Sequence, residues 1–126
     1  AAGGLAMMLV PTDQAGPARR MALAGAAVEV VAAEGIARRG LVAEPYRIGT
    51  PGRLMRAARV TTAAAAALTV VGGRSRVLSA LAGATYVASS LATRFGVFEA
   101  GRASARDPKY VVVPQRERLA GGMLTR

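Results

Sequence analysis

Few side chains in this sequence could do chemistry, and the one whose position says most is Glu29. The 126 residues include no cysteine, histidine or tryptophan. That excludes disulfides, thiolate or imidazole metal sites and serine-histidine triads. Carboxylates, hydroxyls and arginines remain. No pair of them is spaced as a nucleophile and its base, so no catalytic residue and no metal ligand is assigned. Glu29 shares the long apolar stretch from Met21 to Ala37 with Glu34 alone. If a helix runs from Pro17 to Arg39, Glu29 lies at its middle, where an ionised carboxylate in an apolar layer is costly and must face protein or water. The position fits an intramembrane acid that handles protons, or a carboxyl held neutral or paired with a group on a helix outside this sequence. Glu34 is expected to meet Arg38 four residues later.

The elements that would hold Glu29 follow from the map of charge. Val60 to Gly73 and Val77 to Thr93 carry no charged residue. Neither has the polar face that a helix needs on the surface of a water-soluble protein. Their polar members, such as Ser79, Thr85, Ser89, Ser90 and Thr93, are small hydroxyls that a helix can satisfy through its own carbonyls. Each block is shorter than the roughly 20 residues that cross an apolar layer of about 30 Å. Arginines at the margins (Arg56, Arg59, Arg74, Arg94) can lengthen them by reaching out to headgroups.

The reading is an all-α, polytopic transmembrane bundle of about three membrane helices plus a partial one, followed by an extended basic C-terminal tail. Residues 1–10 form the end of a preceding transmembrane helix, closed by Pro11, and a turn follows at Asp13 to Gly16. Membrane helices occupy 17–39, 51–73 and 75–102, with a loop at 40–50 and the tail at 103–126. Pro17 and Pro51 suit first-turn positions, and Gly40 stops the first full helix. Gly72 and Gly73 make a tight connection, so the last two helices are antiparallel neighbours. A chain that opens inside a helix, without an initiator Met or a signal-peptide pattern, reads as part of a longer protein.

The net charge is +10, and all the basic residues except Lys109 are arginine. If the helices span, the connections alternate sides. Arg19, Arg20, Arg74 and Arg76 then lie on one side, and twelve basic residues, including Arg38, Arg39, Arg47, Arg102, Arg116 and Arg126, lie on the other. That asymmetry places the tail in the cytoplasm of a multi-pass protein of the cell membrane. It also accounts for the charge better than nucleic-acid binding does, since no recognition helix or stacking cluster is present.

Two packing features are expected along the last helix. Ala80, Ala84, Ala88, Ala92 and Gly96, continuing to Ala100, repeat every four residues as a row of small side chains suited to close helix approach. Phe95 and Phe98 suit an interfacial belt, and Glu99 can meet Arg102 one turn on.

The stretch TRFGVFEAGRASARDPKY, from Thr93 to Tyr110, continued by VPQRER at Val113 to Arg118, resembles the C-terminal end of the NrfD family, the polysulfide-reductase-type integral membrane subunits. Ala15 to Arg20 and Ala43 to Arg47 resemble it more loosely. The resemblance implies a subunit of an oxidoreductase complex that passes electrons between the quinone pool and an iron-sulfur, ferredoxin-like partner, commonly beside a molybdopterin catalytic subunit. It implies that this segment binds no cofactor itself and is not catalytic alone. The menaquinone or other quinone would belong to the full-length subunit, whose upstream helices would be partners of this segment along with membrane lipid. The resemblance assigns Glu29 no role; a proton- or quinone-facing acid is a reading of its position alone. Arg94, Glu99, Asp107, Lys109, Tyr110 and Arg116 form the family signature and a partner-facing tail. The competing reading is a small non-enzymatic membrane scaffold or assembly protein with a basic tail.

Overall fold

A computed structural model describes residues 1–38, 40–72 and 74–123; the expected helix ends at Arg39 and Gly73, and Arg126 in the tail, lie outside them. The described residues are helical, with five α-helices and a 3-10 segment: α1 (Ala2–Leu9), α2 (Gly16–Ala37), the 3-10 turn Gly40–Tyr46, α3 (Gly49–Val71), α4 (Arg76–Arg106) and α5 (Lys109–Met123). Proline opens α2 as expected. Ser75 caps α4 by accepting the Leu78 N–H. At 1.5 Å per residue, α2 and α3 are each about 33 to 35 Å long and α4 about 46 Å.

The first four helices form an up-and-down ring in which α3 and α4 share the largest interface, α1 packs on α4 and α2, and α2 closes against α3. Antiparallel register along α3 and α4 is visible at both ends and at the centre. Gly72 meets Leu78, Thr62 meets Ser89, and Gly96 meets Met55.

The interface follows an alternating step of three and four. On α3 the inward row is Pro51, Met55, Ala58, Thr62, Ala65, Thr69 and Gly72; on α4 it is Ser79, Ala82, Tyr86, Ser89, Thr93, Gly96 and Ala100. This is the heptad spacing of left-handed helix pairs, filled here with small residues. The expected four-residue row does not form the seam: Ala84 and Ala88 are exposed, Ala80 and Ala92 are half-buried, and Gly96 is buried with Ala100. Each step of four advances about 400°, so five steps rotate the row by about 200° and carry it around the helix.

α1 is wedged in by adjacent glycines. A side chain on Gly3 would strike the backbone of Ala22 on α2 at 2.7 Å, and one on Gly4 would strike the Gly83 carbonyl on α4 at 2.8 Å. The carbonyls that end α1 are gathered by one guanidinium. Arg76 donates to Val10 at 2.7 Å, to Met8 at 2.6 Å and, at 3.5 Å, to Met7. Arg47 does the same for α2 by donating to the Ala37 carbonyl at 2.9 Å. Unpaired last-turn carbonyls and the negative end of the helix dipole explain why a cation settles at each end.

The burial pattern is inverted relative to a water-soluble bundle. The interior is Ala, Gly, Ser and Thr around Met7 and Tyr86, whereas Val28, Val31, Val60, Val71, Leu91, Phe95 and Phe98 lie more than half exposed. Among the described residues, α3 alone is long and apolar enough to cross a membrane, with a mean hydropathy of 1.3 over its best window. Glu29 and Glu34 on α2, and the hydroxyls and arginines of α4, lower those helices on the same measure.

Three expectations need correction. α4 continues to Arg106 and ends where Asp107 precedes Pro108, a position that disfavours helix. The 40–50 loop contains an ordered 3-10 turn, Gly40–Tyr46. The tail is a helix and not an extended run. The Asp107 carboxylate accepts the Lys109 N–H at 3.0 Å and Pro108 stands in the first turn, so the start is well capped. Pro114 lies inside α5, past its first turn, where it removes one backbone hydrogen bond.

Candidate functional site

Glu29 stands one third of the way from the C-terminal end of α2, and its carboxylate reaches between α3 and α4. The Thr93 hydroxyl of α4 donates to Oε1 at 2.8 Å, and the Thr62 hydroxyl of α3 donates to Oε2 at 3.3 Å. Thr62 also touches the Ser89 hydroxyl at 2.5 Å, and Ser89 donates to the Ala58 carbonyl at 2.9 Å. Thr62 and Ser89 are buried and Glu29 is half-buried. The partners therefore lie within this segment, on α3 and α4, and not on a helix outside it as expected. These bonds tie α2 to α3 and α4 in a ring where it has little other packing against α3.

Two cavities meet at this carboxylate. One, of about 420 Å³, opens between α1, α2 and α4 and is lined by Met21, Gly25, Tyr86, Ser90 and Arg94, with Glu29 and Thr93. The other, of about 220 Å³, lies between α2, α3 and α4 and is lined by Ala33, Glu34, Met55, Arg59 and Val97, with Glu29, Thr62 and Thr93. Tyr86 is buried to 6% exposure, and its hydroxyl has no hydrogen-bond partner. A buried phenol normally finds a partner, so this one marks the wall of the larger cavity as a place that can receive a polar group.

The residues of the C-terminal signature assemble elsewhere. Glu99 pairs with Arg102 at 3.0 Å, as expected, and the Arg102 guanidinium lies 5.8 Å above the Phe98 ring. The Lys109 ammonium meets Glu44 at 3.0 Å and Asp107 at 3.7 Å, and stands 4.8 Å over the Tyr110 ring. The hydrogen bond to Glu44, then that to Tyr110, holds the lysine pKa well above the usual range. Asp107, Lys109 and Tyr110 therefore form one cluster with the 3-10 turn. Arg94 instead lines the larger cavity, and Arg116 is exposed on α5. Among the described residues no ion pair joins Glu34 to Arg38. Both side chains are exposed, where such a pair gains only a few tenths of a kcal/mol.

Several functional groups escaped the sequence. Thr61, Thr69 and Thr85 bond back to carbonyls of their own helix as expected. Thr62 and Ser89 bond across helices, and Ser79 reaches the Met7 carbonyl on α1 at 3.4 Å. The available signal was spacing, because Ser79, Ser89 and Thr93 fall on the alternating three-four row. Comparison with protein families, with curated proteins and with solved structures gives no match to this chain.

Proposed function

We propose that the chain is the C-terminal part of a multi-pass membrane-anchor subunit of a quinone-linked oxidoreductase, of the NrfD or polysulfide-reductase type, passing electrons between the quinone pool and an iron-sulfur partner. The membrane half of that reading rests on the inverted burial pattern. Large aliphatic and aromatic side chains face outward along α2, α3 and α4, and small and hydroxyl-bearing ones face inward. Helices in lipid associate in this way, because apolar side chains gain nothing by leaving an apolar solvent and close backbone approach supplies the attraction. The redox half rests on the ordered string from Thr93 to Arg118.

The quinone that the resemblance implies belongs to the full-length subunit; within this segment the cavity between α1, α2 and α4 is a further place able to receive a small polar ligand. Its volume of about 420 Å³ is in the range of small-ligand sites. The unpartnered Tyr86 hydroxyl and the Arg94 guanidinium are the donors that would hold a carbonyl oxygen there. Bound to the full-length subunit, the quinone would supply two-electron redox chemistry, and these two side chains would orient a carbonyl oxygen reaching this cavity. Electron transfer itself needs the iron-sulfur partner, so the segment alone performs no turnover.

Topology provides the direct test, and the absence of cysteine makes the chain a clean background for it. Single cysteines placed by Gln14→Cys and Gln115→Cys should react with a membrane-impermeant maleimide from opposite sides, Gln14→Cys from outside the cell. Labelling of both from one side defeats the reading. The iron-sulfur partner should co-purify when the upstream helices are present. Quinol-dependent reduction by this segment alone would contradict the proposed division of labour.

A further inference from the structure

We infer that Glu29 is a proton-transfer station joining two cavities at different depths in the bundle. The inference rests on the membrane reading above and goes beyond its electron-transfer role. The order of the lining residues carries it. On α2 the larger cavity takes Met21, Ala22, Gly25 and Ala26, all before Glu29, and the smaller takes Ala32, Ala33, Glu34 and Ile36, all after it. On α4, which runs parallel to α2, the larger cavity takes Tyr86 and Ser90 before Thr93 and reaches only to Arg94 beyond it, whereas Val97, a turn further on, lies in the smaller. On antiparallel α3 the smaller cavity reaches from Thr62 back to Arg59 and Met55. The order along α2 sets the direction, and α3 agrees for the smaller cavity. The larger cavity extends toward the end of the bundle holding Arg19 and Arg76, the smaller toward the end holding Arg47, and Glu29 with Thr93 forms the wall between them.

The wall has more close contacts than hydroxyl hydrogens to fill them. Five close contacts link the cluster: Thr93 to Glu29 and to the Ser89 carbonyl, Thr62 to Glu29, Thr62 to Ser89, and Ser89 to the Ala58 carbonyl. The hydroxyls of Thr62, Ser89 and Thr93 contribute one hydrogen each. A proton on Oε2 supplies a fourth hydrogen, and the fifth contact is met when Thr93 shares its hydrogen between Oε1 and the Ser89 carbonyl. Glu29 then donates to Thr62, Thr62 to Ser89 and Ser89 to the Ala58 carbonyl, while Thr93 still donates to Oε1. When the proton leaves, Thr62 turns back to donate to Oε2. The carboxyl gains a proton from one cavity, becomes neutral, and releases it to the other with its charge restored, so nothing else is consumed. Both cavities are several times the roughly 30 Å³ that a water occupies in the liquid. Glu34, five residues beyond Glu29 and about 7.5 Å further along α2, receives the proton at the far mouth beside Arg59.

The test uses the full chain reconstituted in phosphatidylethanolamine and phosphatidylglycerol vesicles containing a pH-sensitive dye, with a potassium diffusion potential as driving force. Proton uptake should exceed that of protein-free vesicles and fall to their level in Glu29→Gln, which keeps the shape and accepts the Thr93 bond but carries no proton. Glu29→Asp should keep a reduced flux. As a check independent of any variant's folding, dicyclohexylcarbodiimide should abolish uptake by the native chain, with the adduct found on Glu29. Native flux no faster than empty vesicles, undiminished flux in Glu29→Gln, or full flux after Glu29 is derivatised each overturns the station. A chain that alkaline carbonate strips from the vesicles overturns the membrane reading instead.

Discussion

Gly83→Ala offers a sharp measure of how the bundle is held, because three glycines on these helices differ only in what surrounds them. A methyl group at Gly83 would run into the Gly4 carbonyl oxygen and would stand 2.7 Å from the Met8 Cγ. The oxygen belongs to a helical backbone and cannot turn aside, so α1 must move off α4. A methyl at Gly96 meets Met55 Sδ at 2.9 Å, the far end of a flexible side chain that can swing away. A methyl at Gly25 meets nothing within 4 Å. All three substitutions gain the same helix propensity, about 0.8 to 1 kcal/mol, so their differences isolate the steric cost. Overpacking against fixed atoms costs about 1–3 kcal/mol. Gly83→Ala should therefore fall below Gly25→Ala by that amount, roughly a fivefold to hundredfold change in the folding equilibrium at 1.4 kcal/mol per tenfold. Gly96→Ala should lie between them. Unfolding of detergent-solubilised chain by sodium dodecyl sulfate, followed by far-ultraviolet circular dichroism, reads the midpoints directly. Equal midpoints for Gly83→Ala and Gly25→Ala would falsify the close approach of α1 to α4.

Further outcomes follow from the same contacts. Ala88→Leu, on an exposed position, should leave the unfolding midpoint within about 0.5 kcal/mol of native, whereas Ser89→Leu should destabilise the bundle by about 1–3 kcal/mol; a reversal would restore the four-residue row as the seam. Arg76→Ala should expose the carbonyls of Met7, Met8 and Val10, speeding hydrogen exchange in α1 while leaving α3 protected, and uniform exchange across both helices would count against it. Lys109 has its folded pKa raised by Glu44 and Tyr110. Its contribution is therefore complete below the ordinary lysine value of about 10.4 and is lost as the pH climbs through the higher folded value. Trypsin cleavage at Arg116 and Arg118 should accordingly be slow near neutrality and faster in Glu44→Gln at the same pH; an unchanged cleavage rate would separate α5 from the 3-10 turn.

Large parts of this architecture could be read from residue order, and the failures share a physical cause. Pro17, Gly40 and the Gly72 turn mark element ends through backbone constraints, which composition does not blur. Glu29 is conspicuous because charge in an apolar stretch is costly wherever it occurs. The seam on α4 was misplaced because alanine occupies inward and outward positions alike, so no contrast between large and small side chains fixes the rotation of the helix. The run Val111 to Val113 favoured an extended tail by its β-branched residues, but the Asp107 cap and Pro108 outweigh that preference locally. The Gly3 and Gly4 wedge was invisible because its meaning depends on Ala22 and Gly83, which are distant in sequence.

The grip of Arg76 on α1 also sets an order of events during synthesis. Its partners Met8 and Val10 lie 68 and 66 residues earlier in the chain. At roughly 5–20 residues per second, the ribosome needs about 3 to 13 s between making those carbonyls and making the arginine that satisfies them. Until then, α1 carries unpaired acceptors at its end and lacks the Gly83 surface that it packs against. The α3–α4 pair, joined by a tight turn, can close as soon as it emerges. Of these helices α1 is therefore made before the surfaces it packs on and is the last to find its place, and a nascent chain halted before Arg76 leaves α1 without its anchor.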